Sequence, residues 1–447
     1  MIEREAPPTR ALIIHPVTRD RLARSEARLE EACGLAEALD LVVVEGLITP
    51  LRKIESPRYF GSGKVDELRE RIVAAEATVA VVDAGLSPVQ QRNLEKSWNV
   101  KVIDRTGLIL EIFGQRARTK EGGLQVELAR LSYERSRLVR TWTHLERQRG
   151  GGGVMSGPGE TQIETDRRII DDKMVRLRRA LDEVRRTRNL HRAKRQEVPI
   201  PVVALVGYTN TGKSTLFNRL TGADVLARDM PFATLDPTVR ALELPRGTKI
   251  LLSDTVGFIT DLPTELIASF RATLEEVREA SLLVHVIDAS DPDRDGRIGD
   301  VESVLDEIEA GPAHEQRMLE AWNKIDRLDA EAMDDIAITV DIANHKAGSP
   351  VKLKVSAVEG TGLDELLVAI ETALTADLEI LQMQLQPHQA RALAWLHQHG
   401  EVISDAMDPE TGVTAMRVRL SPSDAGRFRG LFPELSEFLP PLEIEEY

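Results

Sequence analysis

The chain has 447 residues, room for about three domains, with hydrophobic (42%) and charged (29%) residues in ordinary globular balance. A single cysteine, Cys33, excludes an internal disulfide. No run reaches the ~18 apolar residues of a membrane-spanning helix, and the charged start MIEREAPPTR lacks the apolar stretch of a signal peptide. The net charge of −15 argues against nucleic acid on average, yet residues 116–195 hold 21 Lys+Arg against 11 Asp+Glu. Such a basic segment in an acidic chain suits a nucleic-acid or ribosome surface, or a solvated helical hairpin.

From the N-terminus, apolar runs at 11–16, 39–46, 78–85 and 100–107 read as strands, with amphipathic helices expected at 18–38, 63–77 and 87–97. That alternation predicts an α/β N-terminal domain over 1–115 with a mainly parallel sheet. FGSGK at 60–64 reads as a turn before a helix, because Lys64 is followed by Val65 and the spacing of a phosphate loop is missing.

Residues 116–197 predict a basic helical hairpin. Its helices cover 120–148, with a stripe of Leu124, Leu128, Leu131 and Leu138, and 161–195, with Ile169, Ile170, Met174, Leu177 and Leu181. A glycine-rich tip is expected at 149–160, because its glycines are costly inside a helix. Backbone without side chains can approach RNA closely, so Arg147, Arg149, Gly150, Gly151, Gly152, Gly153, Arg167 and Arg168 are the candidate RNA contacts.

Over 198–376, apolar runs at 200–207, 248–255, 281–288, 318–324 and 351–357 alternate with helical patterns, which predicts a doubly wound, mostly parallel sheet. Residues 377–447 read as a small α+β domain with a strand at 414–420 between two helices.

The chemistry sits in 198–376. GYTNTGKS at 207–214 fits the phosphate-loop pattern, directly after a strand and before a helix. Gly207, Tyr208, Thr209, Asn210, Thr211 and Gly212 would wrap phosphates with backbone N–H groups. Lys213 would bridge the β- and γ-phosphates, and Ser214, followed by Thr215, would ligate Mg²⁺. DTVGF at 254–258 ends the next apolar strand. Asp254 can hold Mg²⁺, the Gly257 N–H can sense a γ-phosphate, and Thr255 and Val256 complete the turn. In NKID at 323–326, the Asp326 carboxylate matches two donors of guanine that adenine lacks, Asn323 can brace the phosphate loop, and the Lys324 stem can cover the base. Ser356 and Ala357 follow a strand and would put an N–H on the guanine oxygen. Thr234 is the candidate switch threonine and third Mg²⁺ ligand, with Thr238 the weaker contender.

These ordered elements predict a P-loop GTPase domain that hydrolyses GTP to GDP and phosphate. Lys213, Thr234 and Gly257 are its expected catalytic residues. Phe258 stands where many GTPases carry a water-orienting Gln, so intrinsic hydrolysis should be slow, with activation coming from a partner or from other elements. Asn210 lies in a G-x-x-N-x-G-K-S loop similar to those that bind K⁺ beside the phosphates. His397, His399 and Cys33 read as structural.

The stretches 86–138 and 157–170, together with GYTNTGKSTLFNRLTG, PFATLDPT and DTVGFITDLPTELIASFRATLEE, resemble the HflX family of ribosome-associated GTPases. The resemblance runs over roughly 60–280, with support to about 376. Where many members read close to R-G-P-G-E at the tip, this chain has Ser156 before GPGE. The resemblance implies binding to the large ribosomal subunit and its rRNA, GTP-dependent splitting or rescue of ribosomes under stress, and hydrolysis stimulated by the ribosome. A monomer in the cytoplasm is the expectation, with peripheral membrane association left open. An RNA-remodelling protein and a stress regulator of a protein partner, each with the G domain as a switch, are the alternatives.

Overall fold

The structure is a computed structural model. It describes residues 8–18, 24–148, 158–193, 200–223, 231–232, 234–235, 237–260, 271–346, 349–409 and 411–438. The first sheet holds β1 (Arg10–Thr18), β2 (Val42–Leu51), β3 (Val79–Val82) and β4 (Lys101–Asp104) in the order β2-β1-β3-β4, all parallel. The helices α1 (Ser25–Glu37), α2 (Ser62–Ala74) and α3 (Pro88–Trp98) alternate with these strands, and α4 (Arg105–Arg116) follows β4. The expected run at 100–107 divides at Asp104. Its carboxylate accepts the Gly107 N–H at 2.9 Å and caps α4, so strand turns to helix three residues early. FGSGK opens α2 with Gly61 as its N-cap, the turn-before-helix role expected of it.

The hairpin helices are α5 (Lys120–Gln148) and α6 (Pro158–Ala193). The second helix begins at Pro158, three residues before the expected 161, and residues 149–157 lie outside the described residues. Proline's fixed φ suits the first helical position, and Gly159 lies in the first turn, where it costs little. Leu131, Met174 and Leu181 are buried, but Ile169 is 48% exposed and leaves the predicted stripe. Val126 and Ala129 on α5 instead join the core of the first sheet beside Phe113. The helix therefore has two apolar faces, and the expectation of one narrow stripe covered only half of its packing.

The third unit is a six-stranded sheet of β5 (Val202–Val206), β6 (Thr238–Glu243), β7 (Lys249–Asp254), β8 (Leu282–Asp288), β9 (Met318–Asn323) and β10 (Val351–Lys354). Its order is β10-β9-β8-β5-β7-β6, parallel except for β6 against β7. Among the described residues its helices are α7 (Lys213–Thr221), α8 (Arg271–Arg278), α9 (Arg294–Glu307), α10 (Ala330–Asn344) and α11 (Leu363–Thr375). Val203, Leu205, Leu252 and Val284 are fully buried at its centre. Because β5 lies between β8 and β7, the loop leaving β5 opens at the point where strand order reverses, the usual ligand crevice of such sheets.

The last unit pairs β11 (Glu379–Leu385), β12 (Glu401–Met407) and β13 (Thr414–Leu420) antiparallel in the order β11-β13-β12, with α12 (Ala390–His399) and α13 (Pro422–Leu431) on one face. Leu381, Met383, Leu396, Val418 and Phe428 form its core. Two strands more than expected are present here. One apolar core joins the first and third units, where Phe113 of α4 meets Phe232 edge-on with ring centroids 4.6 Å apart.

Candidate functional site

The β5–α7 loop, the end of β7, the end of β9 and the turn after β10 converge on one cavity of about 420 Å³. Gly212 sets the start of α7 with φ of +93°, and a Cβ there would lie 2.3 Å from the Asn323 side-chain amide. Only glycine allows both that backbone and that approach. At Gly257 a Cβ would sit 2.9 Å from the Thr209 backbone, so the strand end after Asp254 lies tight on the loop. Backbone bonds from Thr209 N–H to Phe258 O (2.7 Å) and Phe258 N–H to Gly207 O (3.1 Å) fix that seating.

Lys213 is buried and donates its ammonium to the carbonyls of Gly207 (3.1 Å) and Tyr208 (2.6 Å). Burial lowers its pKa to about 8, a drop that Asp254 opposes and Lys324 reinforces. An anion in the cavity would raise that pKa again.

Ser214, Thr234 and Asp254 meet through their oxygens. Ser214 Oγ donates to Asp254 Oδ2 at 2.7 Å, Thr234 Oγ1 donates to the same atom at 2.9 Å, and the two hydroxyl oxygens lie 2.8 Å apart. Burial raises the Asp254 pKa, against the hydrogen bonds of Ser214 and the charge of Lys213. Asp254 Oδ1 is buried and has no hydrogen-bond partner. Three hard oxygens with an unsatisfied carboxylate among them suit a small divalent cation. Among the described residues no group of three or more His, Cys, Asp or Glu is gathered for a metal.

At the other end, Asn323 donates to the Thr211 carbonyl at 2.8 Å and accepts the Ala357 N–H at 2.9 Å, so one buried amide ties the phosphate-loop sequence to the turn after β10. Ser356 donates to Asp326 Oδ1 at 2.6 Å and aims that carboxylate. Lys324, at φ of +65°, pairs with Asp288 at 2.7 Å.

Thr209, Asn210, Gly212, Lys213, Ser214, Thr215, Thr234, Thr255, Gly257, Asn323, Lys324, Asp326 and Ala357 line the cavity. Gly207, Tyr208, Thr211, Asp254, Val256 and Ser356 do not, and act from behind it or face elsewhere. Thr238 lies on the edge strand β6 and lines no wall. The sequence reading missed Phe232, Arg327 and Val358, which line the cavity beside Thr234, Asp326 and Ala357. Adjacency to those residues was their only signal. Phe258 is 1% exposed and packs in the core. Arg167 and Arg168 are exposed on α6, Arg147 falls within the α5 helix, and Arg149 and Gly150 to Gly153 lie outside the described residues.

This sheet, with a phosphate loop at its switch point and a guanine-type carboxylate beside it, defines a P-loop GTPase. Family models match along the chain: GTP-binding GTPase N-terminal over residues 26–114, GTP-binding GTPase Middle Region over 116–195, 50S ribosome-binding GTPase over 202–324, and HflX C-terminal domain over 341–431. GTPase HflX of Magnetococcus marinus is 47% identical over 434 residues, covering 96% of each chain. GTPase HflX of Escherichia coli is 44% identical over 88% of this chain and 90% of its own. The solved complex of SsGBP with GDP is 25% identical with a TM-score of 0.46, covering 83% of this chain and 99% of that one. The chain belongs to the HflX family of GTPases. Among the described residues no helix is long and apolar enough to cross a membrane.

Proposed function

We propose that this GTPase docks its basic hairpin on the large ribosomal subunit and uses GTP binding and hydrolysis to split or rescue ribosomes. The observation that supports this most is the pairing of a cavity lined by Lys213, Asn323 and Asp326 with exposed arginines on the basic hairpin. That hairpin is anchored to the N-terminal sheet through Asp104, which accepts from Tyr133 at 2.5 Å and Arg137 at 2.8 Å. Charge on α6 at Arg167 and Arg168 would draw it to rRNA, and the acidic remainder would favour one orientation.

In the cavity, the backbone of Gly207 to Gly212 would receive the phosphates and Lys213 would turn from its carbonyls to the β- and γ-phosphate oxygens. The Gly257 N–H would hold the γ-phosphate, and Asp326 would read guanine with Ser356 behind it and Ala357 on the cavity wall. Ser214, Thr234 and Asp254 would hold Mg²⁺, and Asn210 would contribute to K⁺. Bound there, Mg²⁺ would neutralise charge on the phosphate oxygens. Phe258 is committed to the core and cannot orient water, which supports a switch that fires on docking.

The test is sedimentation of intact ribosomes after incubation with the protein and a non-hydrolysable GTP analogue. The proposal expects the intact-ribosome peak to convert to subunits, with protein comigrating with the large subunit. Arg167→Glu together with Arg168→Glu should weaken that comigration and flatten its salt dependence. Intact ribosomes at every protein concentration would overturn the splitting role.

A further inference from the structure

A second polar device lies between the N-terminal sheet and the phosphate loop. Arg105, at the start of α4, is buried and donates to Asp83 at 2.5 Å, to Glu31 at 2.5 Å and to the Thr260 carbonyl at 2.8 Å. The other oxygen of Glu31 accepts from the Tyr208 hydroxyl at 2.6 Å. That hydroxyl accepts the Thr260 N–H at 2.9 Å and lies 2.7 Å from Thr260 Oγ1, which donates to Asp300 at 2.8 Å. His15 closes the far end on Asp83 at 2.8 Å.

Every central member is shielded from water. The side chains of Arg105, Glu31 and Asp83 are 5%, 6% and 1% exposed. Burial and the Glu31 charge raise the Tyr208 pKa, so its phenol stays a donor. Apolar side chains of the same volume would hold two surfaces together at least as well. Ionic groups add fixed geometry, and here the geometry falls on two functional segments. Tyr208 sits inside the phosphate loop. Thr260 lies three residues beyond Gly257, within about 10 Å of extended chain. Gly257 therefore has little freedom to approach or leave a γ-phosphate while Thr260 is pinned.

We propose that Glu31, Arg105 and Tyr208 form a positioning relay through which the N-terminal domain sets how well the strap from Asp254 to Thr260 receives the γ-phosphate. A partner that shifts the N-terminal sheet would then alter the preference for GTP over GDP without touching the nucleotide. The proposal rests on the assignment of the cavity as the nucleotide site and is independent of any ribosome.

The experiment measures affinities of the full chain for GDP and for GMPPNP with Mg²⁺, in Glu31→Gln and Arg105→Met, with thermal unfolding of each. The relay predicts that GMPPNP affinity falls about fivefold or more, at the lower edge of ordinary coupling, while GDP affinity changes less than twofold. Tyr208→Phe also frees Thr260, so its GMPPNP loss should be at least as large, and Glu31→Gln should add little to it, because Glu31 acts through the Tyr208 hydroxyl. If Arg105→Met does not fold, the near-isosteric Glu31→Gln still decides. Equal losses for both nucleotides, additive losses in the double variant, or a lowered melting temperature with an unchanged affinity ratio would each overturn the relay.

Discussion

Asn323→Ala is the sharpest probe of how the nucleotide cavity is held. Asn323 is 2% exposed and its amide joins the Thr211 carbonyl to the Ala357 N–H. Truncation takes one partner from each of two backbone groups, at about 1–3 kcal/mol per buried group. The sum is about 2–6 kcal/mol, and water entering from the open cavity offsets part of it. A loss of about 3 kcal/mol is expected, shared between stability and binding. In calorimetric titration with GDP, that corresponds to affinity down by about 10- to 100-fold, with a melting temperature lowered by several degrees. Asn323→Asp keeps the acceptor for Ala357 but sets a carboxylate oxygen against the Thr211 carbonyl, so its loss should be at least as large. GDP affinity within about threefold of the parent, at an unchanged melting temperature, would refute the bracing role.

Three further outcomes follow from the same geometry. Phe258→Gln should not accelerate hydrolysis, since the side chain points into the core; burying an amide there should destabilise by about 1–3 kcal/mol, readable by denaturant unfolding, and a faster turnover would contradict the placement. Asp326→Asn removes the charge that would accept from guanine and should weaken GTP binding about 10- to 100-fold with little effect on ATP, measured by competition. The Lys213 ammonium is held at about 8 by burial, below its ordinary 10.5. Between these values the unfolded chain binds the extra proton, so without nucleotide stability should rise with pH from about 8 towards 10.5, by up to about 3 kcal/mol. Phosphate binding should flatten that rise, and a fall in stability across the same window, followed by urea unfolding, would count against it.

Much of the candidate cavity was legible because phosphate-binding chemistry needs fixed residue types at fixed spacing: Lys213 after a glycine loop, Gly257 after a strand end and Asp326 after Asn323 all line it. The sheet centres were legible from long apolar runs such as VVALV and LLVHVID. Edges were not. β6 carries Val239, Arg240 and Glu243 towards solvent and offers neither an apolar run nor clean alternation. β11 did carry a period of two in Leu381, Met383 and Leu385, a signal the reading passed over. The helix start at Asp104 was hidden because a capping aspartate at a strand end also reads as the strand's last residue. Tyr208 was taken for a phosphate-loop residue, but its side chain serves Glu31, 177 positions away in sequence. No local pattern encodes such a partner; it depends on how two sheets far apart in sequence are packed together.

A GTPase with Phe258 in place of a water-orienting glutamine should be switched on by docking. The most direct measurement is GTP turnover by the purified chain, alone and with large ribosomal subunits, in K⁺ and in Na⁺. Turnover should be slow alone, strongly stimulated by the subunits, and faster in K⁺, with the K⁺ gain lost in Asn210→Ala. Turnover unaffected by saturating subunits, with GTP still tightly bound, would contradict it.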